Sequence, residues 1–85
     1  MNIAYTPQFL RMLRKLERPL QEEAVEKIEL FGNDPTHSQL KAHKLKGKLR
    51  NRYSFSVNYQ TRIIYMHLCK SEVVLLVIGD HDVYK

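Results

Sequence analysis

Eighty-five residues suffice for one small domain with a single modest core, so the expectation is one domain over residues 1–85. Hydrophobic content of 44% permits folding without staples, and Cys69, the one cysteine, excludes an intrachain disulfide. The formal net charge is +5, unevenly spread. Residues 1–35 carry five Lys/Arg and six Asp/Glu, whereas residues 36–70 carry eight Lys/Arg and no acid. A one-signed field of that kind points to a polyanion or an acidic protein partner more readily than to a solubilising face, which normally mixes signs.

No segment approaches the roughly 20 consecutive apolar residues that cross a bilayer, so no membrane partner is expected. The opening "MNIAYTPQFLRML" lacks the basic and long apolar regions of a secretory signal. With a lone thiol, the expectation is a soluble protein of a reducing compartment, most simply the cytoplasm.

In chain order, "NIAYT" alternates weakly and predicts a short strand. Thr6-Pro7 is a helix start, with threonine as N-cap and proline in the first helical position. Phe9, Leu10, Leu13 and Leu16 then form one apolar stripe. Arg18-Pro19 interrupts the first helix and opens a second, with Leu20, Ala24, Val25, Ile28 and Phe31 on its apolar face. Gly32 and Asp34-Pro35 end it. Residues 33–46 read as a long polar connection. In "RYSFSVNY", Tyr53, Phe55, Val57 and Tyr59 recur at period two, predicting a half-buried strand with Ser54, Ser56 and Asn58 on its polar face. "TRIIYMHLC" and "EVVLLVI" add two more strands across the short "KSE" turn. Such short links favour an antiparallel meander. The expected fold class is α+β, a two-helix hairpin packed on a small antiparallel sheet in the order β-α-α-β-β-β.

Chemistry-bearing residues collect late in the chain. Arg62 opens an otherwise apolar strand, where it reads either as a snorkelling edge residue or as an anion clamp, its fixed donors suiting a phosphate. The following strand runs back and ends near it, bringing "GDHDVYK" with His81 and Tyr84. Imidazole titrates nearest neutrality and can act as general acid or base, although a lone terminal histidine is more often a plain surface residue. His43 lies in the basic stretch "KAHKLKGKLR". His67 and Cys69 share a strand face, but the chain has no spacing signature of a metal site, and no metal or other cofactor is expected. No Gly-x-Ser-x-Gly elbow occurs, the glycines are isolated, and Cys69 within an apolar strand reads as a small core residue. What remains is a basic surface able to cleave RNA without a metal. A base takes the 2′-hydroxyl proton, an acid protonates the leaving 5′-oxygen, and cations hold the phosphorane charge. His43, His81, Tyr84 and Arg62 are the candidate catalytic residues. Lys41, Lys44, Lys46, Lys48, Arg50 and Arg52 are the candidate RNA-backbone contacts. Tyr53 and Tyr59 could stack bases, but their alternation with Phe55 and Val57 favours the core.

The block "HKLKGKL", the strand "RIIY" and the ending "VVLLVIGDHDVY" together resemble the RelE/ParE superfamily of bacterial type II toxins, its YafQ-like and RelE-like branches in particular. The resemblance covers nearly the whole chain. It implies a RelE-like microbial RNase-type fold, an acidic cognate antitoxin that wraps the toxin in a hetero-oligomer, and metal-independent cleavage of mRNA on the ribosome. Position by position, His43 matches a histidine of the "H-x-L-x-G" block and Arg62 the transition-state arginine. His81 matches the catalytic histidine of the C-terminal ending, and Tyr84 its terminal aromatic. Ser54 and Ser56 depart from the pattern, standing where the nuclease branches carry lysines or a histidine, and Gln60 stands near an expected acid. Two other readings therefore stand beside the mRNA endoribonuclease: a ParE-like inhibitor of DNA gyrase, and a non-catalytic RNA-binding domain.

Overall fold

A computed structural model describes residues 1–47 and 51–80. Its elements are β1 (Asn2–Tyr5), α1 (Pro7–Arg14), α2 (Arg18–Asn33), a 3₁₀ turn (Ser38–Leu40), β2 (His43–Lys44), β3 (Tyr53–Ser56), β4 (Arg62–Cys69) and β5 (Glu72–Gly79). One five-stranded sheet carries them in the order β1-β5-β4-β3-β2. The meander β3-β4-β5 is antiparallel, as the short links require. β1 instead pairs in parallel with β5, Ile3 beside Val73 and Tyr5 beside Leu75, so the sheet is mixed. Residues 33–46 are also more ordered than a plain connection. The His37 Nδ1 accepts from the Gln39 amide at 3.1 Å to cap the 3₁₀ turn, and His43–Lys44 adds an edge strand against Ser54 and Tyr53.

Thr6 joins three elements at once. Its hydroxyl oxygen accepts from the Phe9 amide at 3.0 Å, capping α1, while Pro7 fills the first turn where no intrahelical donor is needed. The same hydroxyl donates to the Leu75 and Leu76 carbonyls at 3.2 and 3.3 Å. Leu76 is the residue skipped where the β4–β5 register slips by one, and the neighbouring Leu75 carbonyl also accepts from the Thr6 amide at 3.2 Å. The cap thus also serves the bulge. Pro19 lies in the first turn of α2, and Asp34-Pro35 terminates the helix after the Asp34 amide bonds the Leu30 carbonyl at 2.7 Å. Gly32 does not end α2 but lies within it. A Cβ there would come 3.3 Å from Ile3 Cδ1, so the glycine lets α2 approach β1.

Both helices bury their stripes on one face of the sheet. Phe9, Ala24, Ile28 and Phe31 meet Phe55, Ile63, Tyr65, Val73, Leu75 and Ile78, with Leu40 and Val57 closing the cluster. Val25, expected on the buried face of α2, is exposed instead. An aromatic group binds the layers: Phe31 stacks on Phe55 at 4.4 Å with planes 8° apart, and Tyr65 tilts against Phe31 at 4.8 Å. Burial, with a smaller contribution from Tyr53, pushes the Tyr65 phenol up to about 12. Cys69 is exposed rather than buried, its thiol held below the usual range by hydrogen bonds from Ser71. The reason is local: a second register slip between His67 and Cys69 turns the end of β4 away from the core.

Three outcomes follow from this packing. Phe31→Ala removes the ring that bridges the layers and should cost about 3–5 kcal/mol in urea unfolding. Thr6→Ala should cost about 1–2 kcal/mol, whereas Thr6→Ser, which keeps the oxygen, should restore most of it; equal losses from both would contradict the capping role. Because the folded-state phenol of Tyr65 titrates above its unfolded value near 10, its contribution to stability is complete below pH 10. That contribution should be lost as pH rises through about 12, and a Tyr65→Phe protein should lack this loss.

Candidate functional site

Alternation along β3 sends Tyr53 and Phe55 toward the helices and Ser54 and Ser56 toward the opposite face. Register then sets the neighbours on that face: His43 stands across from Ser54, Ser54 from Ile64, Ser56 from Arg62, and Arg62 from Gly79. His43 and Arg62 therefore share one face, two strands (about 10 Å) apart across the sheet and offset by two residues (about 7 Å) along it. His81 and Tyr84 follow two and five residues later in the chain and lie outside the described residues, as do Lys48 and Arg50.

Arg62 is held by the turn that precedes it. Its Nη1 donates to the carbonyls of Asn58 at 2.7 Å, Thr61 at 3.2 Å and Tyr59 at 3.3 Å. Two hydrogens serve three acceptors, and among the described residues Nε and Nη2 have no acceptor. The guanidinium is thus oriented before any ligand arrives, with donors left over. Asn58 builds that turn. Its Oδ1 accepts from the Gln60 and Thr61 amides at 2.9 and 2.8 Å, and its Nδ2 donates to Glu23 Oε1 at 2.9 Å, tying the hairpin to α2. This turn ends β3 at Ser56, so the expected strand does not reach Tyr59, which is 90% exposed rather than buried in the core. An Asn followed closely by Thr between two strands is a recognisable turn signal that the period-two pattern overrode.

His43 Nδ1 lies 2.9 Å from the Lys41 carbonyl oxygen. A carbonyl only accepts, so Nδ1 donates, and in the neutral form of the ring the lone pair is on Nε2. The ring is exposed and has the tautomer of a general base. The serines are less available. Ser54 is fully buried, its Oγ without a hydrogen-bond partner among the described residues, and Ser56 is 7% exposed.

Among the described residues, Lys41 and Lys44 of the basic stretch border different hollows. Lys41 borders a hollow of about 670 Å³ shared with Arg62, Asn58, Tyr59, Glu23 and Lys27. Lys44, one residue off the His43 register and paired with Tyr53, borders a different hollow of about 320 Å³ with His43, Tyr65 and His67. Lys46 is exposed, and the Arg52 carbonyl accepts from the Leu45 amide at 2.8 Å, extending the β2–β3 pairing. Glu23, Lys27 and Asn58 were not singled out in the sequence; only Asn58 carries a local signal, since the two α2 residues reach the hollow through tertiary packing alone. Among the described residues no three His, Cys, Asp or Glu side chains gather as a metal site.

No family model and no curated protein sequence matches the chain. Solved structures do match over nearly its whole length. YafQ from Escherichia coli aligns at TM-score 0.79 and 17% identity, covering 98% of this chain and 96% of that one. The toxin–antitoxin complex RelBE2 from Mycobacterium tuberculosis aligns at 0.77 and 20% identity, covering 94% and 96%. A YoeB/ParE toxin from Agrobacterium tumefaciens aligns at 0.75 and 15% identity, covering 95% and 99%. The chain therefore has the fold of the RelE/ParE-like toxins.

Arg62→Ala should lower stability by about 1–2 kcal/mol by releasing the turn carbonyls, and Asn58→Ala by a similar amount. Because both act on one turn, the double variant should lose less than the sum, read as a double-mutant cycle in urea. Strict additivity would show that the two do not share the turn.

Proposed function

We propose that the chain is a single toxin domain of a type II toxin–antitoxin module, a ribosome-dependent, metal-independent mRNA endoribonuclease that blocks translation in the cytoplasm. The observation that carries this reading is the register of Arg62 against Gly79. It sets the end of β5 at Gly79 beside a guanidinium already oriented by the Asn58, Tyr59 and Thr61 carbonyls, and the proposal is that His81 and Tyr84, which follow in the chain, act there. The resemblance of "HKLKGKL", "RIIY" and "GDHDVY" to RelE/ParE toxins supports the same assignment, as does the shared fold.

In this mechanism the 2′-oxygen attacks the adjacent phosphorus as the P–O5′ bond breaks, leaving a 2′,3′-cyclic phosphate and a free 5′-hydroxyl. His43, with its lone pair on Nε2, or His81 takes the 2′-hydroxyl proton, and the other histidine protonates the 5′-oxygen. Arg62 holds the non-bridging oxygens as charge builds on them, through donors the turn leaves unused. Tyr84 orients or stacks on the substrate. Lys41, Lys44, Lys46, Lys48, Arg50 and Arg52 grip the RNA backbone irrespective of sequence. The cognate antitoxin is an acidic protein, complementary to a segment with eight basic and no acidic side chains, and forms a hetero-oligomer with the toxin.

Buried Ser54 and Ser56 favour a second reading, since neither can act on RNA: a ParE-like gyrase inhibitor needs no acid–base set. The test is cell-free translation with mRNA 5′ ends mapped by primer extension. Cuts spaced from the ribosomal A site that vanish with His81→Ala are the expected result. Intact mRNA and undiminished translation would overturn the nuclease reading, and inhibition of gyrase supercoiling by both proteins would replace it.

A further inference from the structure

The hollow at the β3–β4 turn has a composition the cleavage chemistry does not call for. Arg62 and Lys41 stand in it with half-buried Lys27 of α2, a residue far from the basic segment in sequence. Lys41 adopts φ +49°, a left-handed conformation that a long side chain occupies only at a cost, and in that conformation it borders the hollow. Tyr59 is 90% exposed at the rim, the most exposed large hydrophobic residue among those described. Among the described residues its ring contacts no other aromatic ring, in contrast to Tyr53 and Tyr65, which are packed in the cluster with Phe31 and Phe55. The turn that presents it is rigidly built: Asn58 holds the Gln60 and Thr61 amides and is itself anchored to Glu23.

The geometry points to this hollow as a subsite for one unpaired nucleotide of the RNA strand, its base stacked on Tyr59 and its phosphate held by Lys27 and Lys41. The inference rests on the reading of the chain as an RNA-directed protein and extends the contact surface from Arg62 away from the scissile phosphate. About 670 Å³ admits a nucleotide with room for water. A tyrosine face serves any base, and cations at the rim meet the backbone, the combination that single-stranded nucleic acid sites use. Glu23 can take part in holding the base: one of its oxygens is engaged by Asn58, and the other can accept from the N–H edge of a base.

The test is fluorescence anisotropy with a labelled six-nucleotide single-stranded RNA, which reads binding without requiring cleavage or a ribosome. Tyr59→Ala should weaken binding by about 5- to 100-fold and Tyr59→Phe by no more than about twofold, as stacking without the hydroxyl predicts. Lys27→Ala should reduce the slope of log affinity against log salt by about 0.7, the share of one phosphate contact on a single strand. Tyr59 is on the surface, so its variants should keep the wild-type unfolding midpoint, which circular dichroism checks. Unchanged affinity for Tyr59→Ala would overturn the subsite. So would a wild-type protein that binds a glutamate-rich peptide through Tyr59 and Lys27 while ignoring RNA. Wild-type binding with the expected Tyr59 loss, but no mRNA cuts in translation extracts, would uphold the subsite and remove only the nuclease reading.

Discussion

The stack of Phe31 on Phe55 is the interaction on which the remaining geometry depends. It fixes α2 over β3, and Tyr65 tilting against both rings extends the hold to β4. A one-residue slip of β3 against β4 would send Phe55 to the outer face and Ser54 into the helices, so the aromatic core and the strand register enforce each other. The register then places Arg62 between Ser56 and Gly79. Position of the candidate phosphate clamp is therefore a consequence of core packing on the other side of the same sheet.

Two polar devices complete that arrangement. Thr6 caps α1 and at the same time serves carbonyls at the β5 bulge, so the first helix cannot shift without disturbing the strand that leads to the C-terminal residues. Asn58 closes the β3–β4 turn, anchors it to Glu23 and exposes the carbonyls that orient Arg62. Each uses one short side chain for a local turn or cap and a long-range tether together. Arg62 is thereby both a structural member of its turn and, among the described residues, a donor with unused capacity. Its bonds to the turn carbonyls are those of a residue built into the sheet edge, and the anion clamp is proposed on the donors that remain.

Much of the fold was legible because its signals are local. Thr6-Pro7, Pro19 and Asp34-Pro35 bound the two helices by backbone chemistry that no tertiary contact overrides, and the short "KSE" link allows only an antiparallel return. What was not legible depends on partners distant in sequence. β1 pairs in parallel with β5 across some 70 residues, and two-residue β2 exists only because β3 offers it an edge. The period-two pattern of Tyr53, Phe55, Val57 and Tyr59 carried the strand too far, since the Asn58 turn interrupts it before Tyr59. Of the candidate site, Arg62 and His43 fall on one sheet face, which alternation could anticipate. The division of Lys41 from Lys44 follows from an edge-strand register that composition does not encode.

The central claim is that Arg62 and the C-terminal His81 act on one transition state. It is tested most directly by a double-mutant cycle on the rate of mRNA cleavage in translating extracts, with Arg62→Ala, His81→Ala and the double variant. Groups that act as a unit are strongly non-additive, so the double variant should be about as slow as the slower single. Rate losses that multiply would contradict a shared site, as would full activity in either single variant.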